Sequence, residues 1–249
     1  MKGLSAKTAL ISGASRGIGR QTAIRLSEYG CSVILHYSRS AEKAEETARI
    51  AKKNGAEAFT IQGDLNDPKT PERIASEISN LGIKLRFIVN NAGIYDGSSF
   101  HDTTDEKWLE AMRIDLISPS NILRLLAPEI RKAGGGAIVN VSSILGHRPD
   151  TYGYPYQAAK AALIHITRGL AIELAPDIRV NAVSPGFIMT DMNRDGWNDS
   201  EFKSQVESLT PLKRWGKPED ISEVICFLLS DLSSFITGQN ICVDGGKSL

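Results

Sequence analysis

Tyr156 and Lys160 stand four residues apart in Pro155-Tyr156-Gln157-Ala158-Ala159-Lys160. On a helix this spacing puts a phenol and an ammonium on one face, one turn from each other. Ser143 lies thirteen residues upstream, just after a β-branched run. The three groups offer an acid, a fixed cation to tune it, and a hydroxyl donor. A free tyrosine has a pKa near ~10, so bringing it close to neutrality requires about 4 kcal/mol. One ammonium at ~5 Å, through an effective dielectric of ~20, contributes roughly 3 kcal/mol of that. Tyr156 would then protonate an alkoxide forming from a carbonyl, or take the proton of an alcohol in the reverse direction. Ser143 would donate to the substrate oxygen where negative charge develops. Alone, the spacing is that of any exposed helix pair, so the surrounding chain must supply the argument. Tyr152 and Tyr154 have no lysine four residues on. Pro155 suits a first helical turn, which places Tyr156 at the start of its helix.

The elements that would hold these groups alternate along the chain. Short apolar runs recur at Thr8–Ser12, Val33–Tyr37, Ala58–Gln62, Phe87–Asn90, Ala137–Ser142, Arg179–Val183 and Ile241–Asp244. They are rich in Val and Ile, and most lack polar alternation, as strands covered on both faces should. Helix-period segments separate them at Gly17–Tyr29, Ala41–Asn54, Pro71–Leu81, Asp105–Lys132, Pro155–Ala175 and Pro218–Ser230. Such alternation predicts an α/β fold: a doubly wound parallel sheet with helices on both faces. No linker or repeat divides residues 1–249, so a single domain is expected. The stretch 186–217 breaks the rhythm. It is a long insertion with two tryptophans and a short helical stretch near Glu201–Ser208, long enough to act as a lid.

A second chemical signal opens the first strand–helix unit: Ser12-Gly13-Ala14-Ser15-Arg16-Gly17-Ile18-Gly19. Glycines there let the backbone turn tightly and approach a pyrophosphate, which would meet free N–H groups at a helix N-terminus. The spacing Gly-x3-Gly-x-Gly differs from the more familiar Gly-x-Gly-x2-Gly.

That glycine spacing, Asn90-Asn91-Ala92-Gly93 after the fourth strand, Ser143, and Tyr156-x3-Lys160 resemble the short-chain dehydrogenase/reductase family. Ser184-Pro185-Gly186 and the ending Thr237-Gly238-Gln239 through Val243-Asp244-Gly245-Gly246 resemble it too. The motifs stand in family order over essentially the whole chain. The resemblance is to the branch that includes 3-oxoacyl-[acyl-carrier-protein] reductases and sugar or polyol dehydrogenases. It implies a Rossmann-type seven-stranded sheet of order 3-2-1-4-5-6-7, a nicotinamide cofactor and, usually, a homotetramer. It also implies cofactor contacts at Gly13, Ser15, Arg16, Gly17, Ile18, Gly19, Asp64, Leu65, Asn91, Ala92, Gly93, Tyr156 and Lys160. Pro185, Gly186, Ile188 and Thr190 resemble the segment that grips the nicotinamide amide, and Lys160 would also hold the nicotinamide ribose.

Enzymes preferring NAD tend to hold the adenosine ribose with an acidic residue at the end of the second strand. Here Tyr37 takes that position, Ser38 and Arg39 follow, and the next carboxylate is Glu42. Arg16 and Arg39 would flank a 2′-phosphate, which suits the charged fork of a guanidinium. NADP(H) is therefore the expected cofactor, with NAD(H) as the alternative.

One position departs from the family pattern. A catalytic Asn is common in the helix before the serine strand, and Asp115 stands there in Arg113-Ile114-Asp115-Leu116. In the family, the main-chain carbonyl at this position holds a water that contacts the lysine. Pro119, four residues on, has no N–H for that carbonyl. Asp115 is therefore kept with the catalytic set, its relay expected to survive. Its carboxylate would favour a charged Lys160 yet partly cancel the lysine's field at Tyr156.

Bulk properties narrow the partners. The 249 residues are 41% hydrophobic and 23% charged, with 29 basic and 29 acidic side chains. That balance gives no pull toward nucleic acid or an anionic membrane. Cys31, Cys226 and Cys242 are far apart in apolar runs, which argues against a disulfide framework or a metal site and for a reducing compartment. With no apolar stretch of spanning length and no leader pattern, a cytoplasmic location is expected. The leading expectation is an NADP(H)-dependent oxidoreductase, most simply a 3-oxoacyl-[acyl-carrier-protein] reductase-like enzyme. A sugar or polyol dehydrogenase is the alternative, and a non-catalytic NADP(H) sensor is the rival of another class. His147, Arg148, Asp150, Tyr154 and Trp197 are candidates to line a substrate pocket. A carrier protein would need exposed cations beside that pocket, for which Arg124, Arg131 and Lys132 are candidates.

Overall fold

The computed structural model describes residues 1–249. Seven parallel strands form one sheet: β1 (Thr8–Ile11), β2 (Ser32–Tyr37), β3 (Ala58–Gln62), β4 (Leu85–Asn90), β5 (Gly136–Val141), β6 (Ile178–Pro185) and β7 (Asn240–Val243). Their order is β3-β2-β1-β4-β5-β6-β7, as the resemblance implies. Register is continuous across the centre, where Phe87 to Asn90 pair with Ala137 to Asn140. Side chains alternate across the sheet. Ala9, Ile11, Val33, Leu35, Phe87, Val89 and Val139 face one buried cluster, while Leu10, Ile34, Ile88, Ile138 and Val180 face the other. Both faces being dry explains why these strands read as unbroken apolar runs.

The helices are α1 (Gly17–Glu28), α2 (Ala41–Lys53), α3 (Thr70–Asn80), α4 (Asp105–Met112), α5 (Ser118–Lys132), α6 (Tyr154–Leu174), α7 (Arg194–Asn198), α8 (Ser200–Leu209) and α9 (Pro218–Leu229). The unbroken helix expected over Asp105–Lys132 is in fact two helices joined by a π-helical turn at Arg113–Ile117. The reason is local. Pro119 donates no N–H, and the N–H of Ser118 reaches back five residues to the carbonyl of Arg113. Asp115 sits at the middle of this widened turn. No helix is long and apolar enough to cross a membrane.

Buried polar side chains lock the site-bearing elements together. Asn90 donates to Asn140 at 2.8 Å, Asn140 to Thr167 at 2.9 Å, and Thr167 to the Leu163 carbonyl at 2.7 Å. β4, β5 and α6 are thus joined by a hydrogen-bonded chain in the dry interior, where each bond is costly to break.

Candidate active site

A cleft of about 950 Å³ opens over the carboxyl ends of the strands. It crosses the junction between β1 and β4, where strand order reverses and open α/β sheets bind ligands. Gly13, Ser15, Arg16, Gly17, Ile18, Ser38, Arg39, Asp64, Leu65, Asn91, Ala92 and Gly93 line it. So do Ser143, Tyr156, Lys160, Pro185, Gly186, Ile188 and Thr190. Of the expected catalytic and cofactor-contact residues, three do not line it: Gly19, Tyr37 and Asp115.

The glycine loop is held from below. Ser12 Oγ accepts the N–H groups of Asn91 and Ala92, each at 3.0 Å, and Asn91 Nδ2 donates to the Ser12 carbonyl at 2.9 Å. Gly13 has φ +67°, and a Cβ there would sit 3.0 Å from Ala92 Cα. Gly19 lies behind the loop rather than in the cleft. A Cβ on it would meet both Asn91 Nδ2 and the Gly13 carbonyl at 2.4 Å, so its need for glycine comes from packing. The first turn of α1 carries no acidic residue and no capping side chain. Its N–H groups and positive dipole end therefore fit a phosphate.

His36 was not among the expected site residues, yet it sets this loop. Its Nε2 lies 3.0 Å from the Gly63 carbonyl, and its Nδ1 accepts the Gly13 N–H at 3.4 Å. A ring donating at Nε2 and accepting at Nδ1 is neutral. Burial lowers its pKa to about 4 against the Gly63 bond, which raises it. Native His36 thus resists a proton that the unfolded chain takes up near pH 6.5. Stability is full above pH 6.5 and falls as pH drops from there toward 4, by about 3 kcal/mol. We expect urea midpoints to decline over that window more steeply in the wild type than in His36→Asn. Parallel slopes would contradict the assignment.

At the far end of the cleft, β2 ends at Tyr37, which does not line the cleft, while Ser38, Arg39 and Ser40 do. Neither Arg16 nor Arg39 makes an ion pair. Two guanidinium groups with no carboxylate engaged are suited to an added phosphate.

At the other end, α6 presents Tyr156 and Lys160 to β5. Lys160 Nζ donates to the Val141 carbonyl at 3.0 Å, and Ser142 Oγ donates to the Lys160 carbonyl at 2.9 Å. The ammonium is 5.4 Å from the centre of the Tyr156 ring. Ser143 Oγ accepts the Leu145 N–H at 3.1 Å, so its own proton is available to a third group. Withdrawal from water, the largest effect, pushes the Tyr156 phenol above its ordinary value. Lys160 and the Ser143 hydroxyl pull it down, and Asp115 pushes it up again. The ammonium alone therefore does not bring the phenol toward neutrality. The spacing argument counted the cation and could not count burial.

Asp115 explains part of that balance. Its Oδ1 is 3.0 Å from Lys160 Nζ, with both side chains almost wholly buried. Its Oδ2 accepts the Ile94 N–H at 3.3 Å. A Cβ on Gly93 would come within 2.5 Å of Asp115 Oδ1 and 3.3 Å of Lys160 Nζ. A backbone without a side chain is what lets carboxylate and ammonium meet. Burial lowers the Lys160 pKa, but Asp115 and Tyr156 outweigh it, so the lysine is held charged.

The substrate side is only partly as expected. Asp150 lines the cleft, as do Tyr95, Glu110, Phe187, Asp195 and Trp215. Tyr95 stands edge-on to Tyr156 with ring centres 5.4 Å apart. It lies just beyond the Asn-Ala-Gly stretch, and its position after β4 was the available signal. Of the other candidates, His147 is engaged with Asn240, and the Arg148 guanidinium donates to the Lys247 carbonyl at 3.0 Å. Trp197 donates to the Thr190 carbonyl at 3.2 Å, and Tyr154 stacks edge-on with Phe100. Two of the basic residues suggested for carrier docking, Arg131 and Lys132, are also corrected. α5 runs away from the cleft, and its last turn holds Arg131 and Lys132, paired with Asp177 and Glu129. They sit at the opposite end of the sheet.

A glycine-lined anion cradle and a Ser–Tyr–Lys cluster at two ends of one cleft over a seven-stranded parallel sheet define a nicotinamide-dependent oxidoreductase. A family profile described as Enoyl-(Acyl carrier protein) reductase matches residues 13–248. The chain belongs to the short-chain dehydrogenase/reductase family. It is 38% identical over 241 residues to 3-oxoacyl-[acyl-carrier-protein] reductase FabG of Staphylococcus aureus strain N315, covering 96% of this chain and 97% of that protein. It is 35% identical over 249 residues to L-rhamnose 1-dehydrogenase (NAD(P)(+)) of Sphingomonas sp. strain SKA58, covering 99% and 98%. Among solved structures, a putative NAD(P)-dependent gluconate 5-dehydrogenase from Beutenbergia cavernae, with NADP bound at low occupancy, superposes with a TM-score of 0.92. That pair is 29% identical, covering 98% of this chain and 97% of the other.

Proposed function

We propose that the protein interconverts a ketone and a secondary alcohol with NADP(H), using Tyr156 as the acid–base group. The observation that carries this reading is the placement of Ser143, Tyr156 and Lys160 at one end of a cleft whose other end is the glycine loop. When bound, the reduced nicotinamide supplies a hydride to the carbonyl carbon. Ser143 donates a hydrogen bond to the carbonyl oxygen as its charge grows, and Tyr156 gives that oxygen its proton. Lys160 stabilises the phenolate left behind and holds the nicotinamide ribose. The glycine loop and the start of α1 hold the pyrophosphate. Pro185, Gly186, Ile188 and Thr190 position the nicotinamide. Arg16 and Arg39 hold the 2′-phosphate. Residues 1–249 act as one catalytic domain in which the insertion at 186–217 closes over the substrate.

For the substrate, a 3-oxoacyl thioester is supported by the Staphylococcus relative. A neutral sugar or polyol is supported by the cleft itself, where Glu110, Asp150 and Asp195 add acceptors and negative charge. Exposed Leu109, Ile117 and Ile172 on α4, the π turn and α6 support burial against further copies, as in a homotetramer. Turnover should be followed by nicotinamide absorbance with NADP(H) and NAD(H), in both directions. The panel would hold acetoacetyl and 3-hydroxybutyryl pantetheine, L-rhamnose, gluconate and simple polyols. Tight NADPH binding with no turnover on any of them would instead make the protein a cofactor sensor.

A further inference from the structure

We propose that Asp115 is a positioning residue that keeps the proton on Tyr156, biasing the site toward carbonyl reduction and confining alcohol oxidation to alkaline solution. The inference rests on Tyr156 being the acid–base group.

The geometry has three parts. Asp115 Oδ1 faces Lys160 Nζ at 3.0 Å, and neither side chain reaches solvent appreciably. Oδ1 receives no hydrogen bond of good geometry, so the ammonium's charge is its only compensation. Lys160 in turn lies under the Tyr156 ring. One cation thus serves two anions: the Asp115 carboxylate, whose pKa burial raises while Lys160 and the Ile94 N–H oppose that shift, and the phenolate that forms after proton donation. A buried cation already matched by a carboxylate has less field left for a phenolate, and the carboxylate repels that phenolate directly.

Other groups facing Tyr156 do not take over this role. Tyr95 meets the ring edge-on, and burial, with Asp150 next, pushes its phenol up, so it stays neutral. Ser143 carries no charge. Glu110 and Asp150 are exposed at the mouth of the cleft, where water screens them. Asp115 is the buried charge beside the lysine.

The consequence is directional. Reduction needs a protonated Tyr156, which the carboxylate preserves. Oxidation needs Tyr156 to have lost its proton, which the carboxylate opposes. Replacing Asp115 by Asn keeps shape while removing the charge. A unit charge acting through an effective dielectric of ~20 at ~10 Å is a shift of about one pH unit.

The direct test is an ultraviolet titration of the tyrosinate in the full chain, with Tyr156→Phe subtracted as the blank. The difference isolates Tyr156 without any cofactor or substrate. We expect its ionisation to fall by about one pH unit in Asp115→Asn. The rising limb of kcat for alcohol oxidation with NADP⁺ should move down by a similar amount, measured on whichever alcohol of the panel turns over fastest. An unmoved or raised titration in a folded variant overturns the proposal. Should Asp115→Asn not fold, the wild type still decides. An oxidation limb below pH 7, or Tyr156 ionising below its ordinary value without cofactor, overturns it; a limb on the alkaline side supports it. If Tyr156→Phe itself retains full turnover, the acid–base reading fails and the Asp115 inference falls with it. If Tyr156→Phe is inactive and Asp115→Asn leaves both profiles unmoved, only the Asp115 inference fails.

Discussion

Tyr156→Phe should fold, bind NADPH and lose about a thousandfold in kcat, the order of effect expected of a lost general acid. Phe keeps the ring, and with it the edge-on contact to Tyr95 at 5.4 Å and the lysine over its face at 5.4 Å. What goes is one O–H. In its absence the alkoxide must take a proton from water, and Ser143 is left donating to an oxygen that cannot be neutralised nearby. Ser143 is a poorer substitute acid, because no cation stabilises the alkoxide it would become. Thermal unfolding and NADPH fluorescence titration establish that the variant is folded and loaded, and single-turnover kinetics then isolate the chemical step. Wild-type-like turnover in that variant would remove Tyr156 from the mechanism. The residual turnover of the variant should also be flat with pH, since the group whose titration shaped the profile is gone.

The sheet was readable because its physics is written in single residues. Strands dry on both faces carry no polar alternation, and Gly and Pro punctuate the helices between them. The Tyr156–Lys160 couple was readable because helical spacing fixes which side chains share a face. What escaped was everything decided across the sheet. His36 looks like one more strand residue until β1 and β3 are placed on either side of it, with Gly13 and Gly63 at its two nitrogens. The π turn was half visible. Pro119 announced a missing hydrogen bond, but not that the helix would widen to accommodate it. The charge balance at Tyr156 was legible in kind and not in sign. Asp115 could be expected to oppose Lys160, yet burial depends on packing that no local pattern reports. Arg131 and Lys132 failed as docking candidates for a similar reason, since a helix antiparallel to its strands carries its last turn away from the cleft.

The double variant Arg16→Ala/Arg39→Ala should raise the Michaelis constant for NADPH about a hundredfold and that for NADH only a few-fold. Hydrogen bonds from a guanidinium to a charged acceptor contribute roughly 1.5–3 kcal/mol each. Two of them lost together correspond to at least the factor expected. The discrimination follows from where the residues sit. Arg16 precedes the first turn of α1 and Arg39 follows β2, and both line the cleft with no ion pair to another residue. No hydrogen bond of either side chain holds the glycine loop, which rests on Ser12, Asn91 and His36. The pyrophosphate cradle, common to both cofactors, should therefore survive their removal. The structural alternative is that the two side chains merely cover the loop, in which case both constants would rise together. Equal increases would assign the arginines to general phosphate attraction and reopen NAD(H) as the working cofactor. A selective loss would fix the 2′-phosphate at the end of β2, where Tyr37, Ser38 and Arg39 stand in place of a carboxylate.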